Sequence, residues 1–140
     1  MKEIFMERVE TLLSLPESTA TCEIGPIIRQ KPGTIDIWYD SEGQENLLWT
    51  HICFKTVLAM RFTPEVAINE LMPQAYSKIV EVLRSDWLQN FEMVANEKHQ
   101  SLIQGLQHFM VFFDHYGCVE VIAKSFSIDE KSPPPIGIEE

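Results

Sequence analysis

The chain has 140 residues, 45% of them hydrophobic, the size and composition of one globular domain and not of a disordered chain. Its net charge of −10 is evenly spread, with eleven acids against six bases in residues 1–70 and ten against five in residues 71–140. Such a charge repels nucleic-acid phosphates and anionic membrane surfaces, which argues against both as partners. A macromolecule recognised through charge should be basic.

In chain order, residues 2–15 predict a helix. Met1, Ile4, Phe5, Val9, Leu12 and Leu13 follow a helical stripe, Glu3, Glu7, Arg8 and Glu10 take the wet side, and Pro16 ends it. The same early acids leave no apolar leader, and no run approaches ~18 apolar residues. With three cysteines (Cys22, Cys53 and Cys118) and no C-x-x-C pair, the expectation is a reducing, cytoplasmic compartment with free, buried thiols.

Residues 22–29 and 34–40 predict two strands around the turn Lys31-Pro32-Gly33, and Pro26 marks the first as an edge strand or a bulged one. Residues 47–62 alternate over a length beyond the usual strand of ~3–10 residues, so a bend or break is expected near Lys55. Thr63-Pro64-Glu65 starts a short helix, and Tyr76, Ile79, Val80 and Leu83 predict a second over residues 74–83. Ser85 caps a third, whose stripe is Trp87, Leu88, Phe91, Val94 and Ala95, with Trp87 and Phe91 packing it on a sheet. Residues 107–126 read as a hairpin of central strands turning at Asp114-His115-Tyr116-Gly117. The domain is expected to span 1–126, with 127–140, which holds Pro133, Pro134 and Pro135, as an extended, mobile acidic and proline-rich tail. The elements add up to an α+β fold: an antiparallel sheet of about four to six strands, packed on one face by helices, with an N-terminal helix.

Motifs for catalysis are lacking. There is no glycine-rich phosphate loop, no G-x-S-x-G and no H-E-x-x-H, so no catalytic residue is assigned. His51 and Cys53, with Cys118 or His108 brought in by the fold, are the metal candidates. Their spacing matches no usual zinc pattern, and neither a metal nor a cofactor is expected. Cys118 follows a turn holding Asp114 and His115, but a tight turn sends these side chains apart, and turn chemistry alone accounts for Asp114 and Gly117. Glu120 lies in an apolar strand, where it either acts as a shifted acid or base or pairs with Lys124 or Arg61. His51, His108 and Glu120 are thus the candidates for a pocket between sheet and helices.

The most pointed stretch is 32–54, which holds Asp36, Asp40, Glu42 and Glu45 and no Lys or Arg. Strand alternation puts Trp38 on one face with Asp36 and Asp40. Asp36, Trp38, Asp40, Glu42 and Glu45 therefore form the expected contact surface for a basic protein partner. The leading expectation is a non-enzymatic acidic binding protein that masks such a partner, a physical class exemplified by small acidic immunity proteins. The alternatives are a small enzyme or ligand-binding domain with a sheet-helix pocket, and a homodimeric structural subunit joined through residues 34–40.

Overall fold

A computed structural model describes residues 6–16, 26–42, 47–130 and 133–135, with only the backbone for Glu42 and Leu47. It corrects the expected fold class. The described chain is mostly antiparallel β, in two sheets, with two short helices. The strands are β1 (Arg8–Ser14), β2 (Ile27–Lys31), β3 (Thr34–Glu42), β4 (Leu47–Lys55), β5 (Ala59–Pro64), β6 (Lys78–Leu83), β7 (Gln107–Phe113), β8 (Gly117–Ala123) and β9 (Ser125–Glu130). The helices are α1 (Asp86–Val94) and α2 (Glu97–Ile103). One sheet runs β1-β6-β7-β8-β5 and the other β2-β3-β4-β9.

The expected N-terminal helix is a strand where the chain is described. β1 pairs antiparallel with β6, with a register shift between Thr11 and Leu13. Val9, Leu12 and Leu13 satisfy a helical stripe, but pairing with a neighbouring strand overrides so weak a preference. The same ambiguity misleads at residues 74–83. A 3₁₀ turn, Met72–Ala75, precedes β6, whose Ile79 faces one apolar cluster while Val80 and Val82 face the other. β-branched residues buried on both faces of a strand read in sequence like a helical stripe.

The long alternation at 47–62 is real, and it does break where expected. It divides into β4 and β5, which lie in different sheets rather than in one. The chain crosses at Thr56–Leu58, where Thr56 adopts φ 56°. β8 and β9 make the parallel crossing at Lys124, whose N–H donates to the Lys55 carbonyl at 3.1 Å. Residues 127–130 therefore belong to the domain as the end of β9, beyond the expected boundary at 126. The hairpin β7–β8 stands as read, with both strands buried along nearly their whole length. β2 is an edge strand, as Pro26 implied.

The two sheets close on one core. Ile35, Ile37, Tyr39, Ile52 and Phe54 from the four-stranded sheet meet Ile79, Phe109, Val111, Phe113, Val119 and Val121 from the five-stranded one. Tyr39 meets Phe113 edge-on at 5.5 Å, and Phe54 lies 5.5 Å from Phe109. A second cluster on the far side of the larger sheet gathers Met72, Ala75, Val80, Val82, Met110, Phe112 and Cys118. The helices are not layers on a sheet: α1 fully buries none of its residues, and α2 buries only Ile103. Trp87 and Phe91 are half-buried. No helix among the described residues is long and apolar enough to cross a membrane.

Three stability measurements follow from this packing. Phe54→Ala should cost about 3–5 kcal/mol in urea unfolding, because it empties a fully buried ring site. Phe91→Ala, on the half-buried helix face, should cost less than about 2 kcal/mol, and equal losses would place α1 in the core. Gly117 adopts φ 145°, and a Cβ there would strike the Thr63 carbonyl and the Phe62 ring. Gly117→Ala should therefore lower stability by more than about 1 kcal/mol.

Candidate functional site

The chemically active side chains form two networks, one on the outer face of each sheet. On the four-stranded sheet, β3 and β4 present Asp36, Trp38, His51 and Cys53 to the outside, because the inward positions are taken by Ile35, Ile37, Ile52 and Phe54. Asp36 is the centre. Arg29, its partner across β2, donates from Nη2 and Nε to Asp36 Oδ2 at 2.8 and 3.2 Å. His51 Nε2 lies 2.8 Å from Asp36 Oδ1. The Trp38 ring stacks on the His51 imidazole at 4.7 Å and 9°, and the Arg29 guanidinium lies over the same indole at 5.0 Å. Burial alone would raise the Asp36 pKa, but hydrogen bonds from Arg29, His51 and Cys53 and the Arg29 charge outweigh it and hold the carboxyl below its usual value. Burial, followed by the Asp36 charge, pushes the Cys53 thiol up.

The five-stranded sheet repeats the design with other residues. Glu120 on β8 faces Arg61 on β5, which donates from Nε and Nη2 at 2.9 and 3.0 Å. His108 Nε2 lies 2.7 Å from Glu120 Oε1, and the Ser85 hydroxyl lies 2.7 Å from His108 Nδ1. Trp87 meets the His108 ring edge-on at 5.2 Å and carries the Arg61 guanidinium at 4.2 Å. Glu120 is likewise held below its usual value: burial opposes ionisation, and hydrogen bonds from His108 and Arg61 overcome it. Burial, with the Glu120 charge behind it, pushes the Cys118 thiol up.

Ser85, His108 and Glu120 have the order of an acyl-transfer triad. A neutral imidazole with its proton on Nε2 would donate to Glu120 and accept the Ser85 hydroxyl at Nδ1. Yet these residues are 4%, 1% and 2% exposed, and Ser85 Oγ also accepts the Leu88 N–H as the cap of α1. A nucleophile must meet a substrate, and this one is enclosed. The relay instead fastens the start of α1 to the centre of the sheet.

The expected contact surface is placed differently. Trp38 is 2% exposed, and Asp36 and Asp40 are buried. The Glu42 side chain and the whole of Glu45 lie outside the described residues. β3 has both edges occupied, by β2 and β4, so strand addition along 34–40 has no free edge. Among the pocket candidates, His108 and Glu120 are brought together, while His51 joins Asp36 on the other sheet. Glu120 takes Arg61 as its partner, one of the two pairings expected. Arg29, Ser85 and Trp87 were not singled out for these networks; cross-strand register places Arg29 opposite Asp36, and the packing of the start of α1 places Ser85 and Trp87.

Carboxylates lie open elsewhere. Met6, Glu7, Asn69, Glu70, Leu71 and Asp86 line a groove of about 520 Å³. Met6 is 59% exposed. Asn69 Oδ1 accepts from the N–H groups of Leu71 and Met72 and fixes the loop, and Glu7 Oε2 accepts the Asp86 N–H at 2.9 Å. No protein-family model, no curated protein and no solved structure matches the chain.

The two clamped carboxyls make stability depend on acid. Each holds a proton less tightly in the folded chain than in the unfolded one, so the stabilisation is present at neutral pH and lost as pH falls below about 4. Urea midpoints should drop over that range in the parent, and the drop should be shallower in Asp36→Asn and in Glu120→Gln. Equal acid sensitivity in all three proteins would show that other groups control it.

Proposed function

We propose that the chain is a non-enzymatic binding protein that masks a basic partner protein. The groove beside α1 seats an Arg or Lys side chain of that partner. The observation that carries this reading is the composition of the groove: three carboxylates, Glu7, Glu70 and Asp86, line it together with apolar Met6 and Leu71. A basic side chain has the matching division, an aliphatic stem for the apolar residues and a cationic head for the acids. The loop is tied in place by Asn69, so binding costs little further ordering. The net charge of −10 supports the same class of partner, since it draws a basic protein in before contact. Enclosure of the Ser85–His108–Glu120 relay supports the non-enzymatic part of the reading.

A short arginine-rich peptide is the direct probe. Isothermal titration should give binding that weakens about tenfold or more in Glu70→Lys, and that fades as salt shortens the Debye length from about 10 Å towards about 3 Å. Glu97→Lys, an equal change of charge on exposed α2, should have a much smaller effect. If the two reversals weaken binding equally, bulk charge and not the groove is responsible, and the proposal fails.

A further inference from the structure

The outer face of the four-stranded sheet holds a second chemistry, independent of the groove. Asp36 and Cys53 are directly opposed across β3 and β4, and His51 precedes Cys53 by two residues, so all three side chains leave the same face. A carboxylate oxygen, an imidazole nitrogen and a thiol sulfur from these residues lie within 4.8 Å of one another. We propose that Asp36, His51 and Cys53 form a three-residue site for a zinc-class divalent cation, with a fourth position left for solvent.

Oxygen, nitrogen and sulfur donors together select a borderline ion of the zinc type over magnesium or calcium, which prefer oxygen alone. The surroundings fix the position of the donors. Arg29 occupies Asp36 Oδ2 and leaves Oδ1 turned to His51 Nε2, 2.8 Å away. Asp129 Oδ2 lies 3.8 Å from the other ring nitrogen, Nδ1. In the free chain the Nε2 proton bridges to Asp36 Oδ1, and Asp129 is placed to receive an Nδ1 proton once a cation takes Nε2, the usual outer partner of a ligating histidine. Trp38, stacked on the imidazole, fixes the plane of the ring. Loading exchanges protons without redox chemistry. The cation takes Cys53 sulfur, His51 Nε2 and Asp36 Oδ1; the thiol proton leaves to solvent, and the imidazole proton passes from Nε2 to Nδ1 by exchange with solvent.

The mirrored network on the five-stranded sheet lacks this capacity. Among the described residues no third His, Cys, Asp or Glu ligand atom joins His108 and Glu120 at such spacing, and the second imidazole nitrogen meets the buried Ser85 hydroxyl at 2.7 Å. The third ligand on the smaller sheet escaped the search for zinc spacings because Asp36 comes from the neighbouring strand, fifteen residues before His51.

Titration of the full chain with Co²⁺ under reducing conditions tests the site. A thiolate-to-cobalt charge-transfer band should rise in the near ultraviolet and saturate at one cobalt per chain, and Zn²⁺ should displace it. Cys53→Ser should abolish the band, whereas Cys22→Ser and Cys118→Ser should keep it. His51→Gln should weaken cobalt binding at least tenfold. Asp129→Asn, which touches only the outer partner, should weaken it by about tenfold. Circular dichroism establishes that each variant is folded, and if Cys53→Ser fails to fold, His51→Gln decides the question. Absence of the band in the parent, its survival in Cys53→Ser, or affinity unchanged in His51→Gln would overturn the proposal.

Discussion

Everything else in this fold depends on a pair of long strands that turn a corner together. β4 with β5, and β9 with β8, are two bent ribbons that pair antiparallel across both sheets, and their register slips by only one residue at the bend. The bond from Lys124 N–H to the Lys55 carbonyl holds the corner where both ribbons change sheets. Because side chains alternate strictly along a strand, the corner also determines which residues point into the shared core and which point out. Phe54 and Val121 face inward and close the core, while His51, Cys53 and Glu120 face away from it.

Both outward networks solve the same problem. A carboxylate that leaves water needs partners for its charge and its lone pairs. Asp36 and Glu120 each receive an arginine from the neighbouring strand and a histidine, and each set is covered by a tryptophan lying against both cations or rings. The two differ in what is left over. Around Glu120 the second imidazole nitrogen meets the Ser85 hydroxyl, and the network holds the start of α1. Around Asp36, a half-buried thiol and the Asp129 carboxylate stand beside the imidazole.

Acidic charge is likewise divided into two populations. Asp36 and Glu120 are buried, and their charge is met by an arginine and a histidine within the fold. Glu7, Glu70 and Asp86 line a groove beside exposed Met6, and Glu70 and Asp86 are exposed. Asp36, Trp38 and Asp40 are buried, so the recognition proposal rests on the groove.

Alternation at 47–62, the break near Lys55, the apolar hairpin around Asp114–Gly117, the edge character after Pro26 and the Ser85 cap were all legible in the sequence, because each depends on neighbours a few residues away. The β1 and β6 segments were not, since a short run of β-branched and leucine residues satisfies helix and strand periods alike, and only a paired neighbour decides between them. The sequence by itself also marked His51, Cys53, His108 and Glu120 as unusual residues for their strands. Only the tertiary structure decided their partners, because pairing Asp36 with Cys53 or Arg61 with Glu120 depends on the register between strands distant in the chain. Register likewise buried Trp38, whose exposure no local pattern determines.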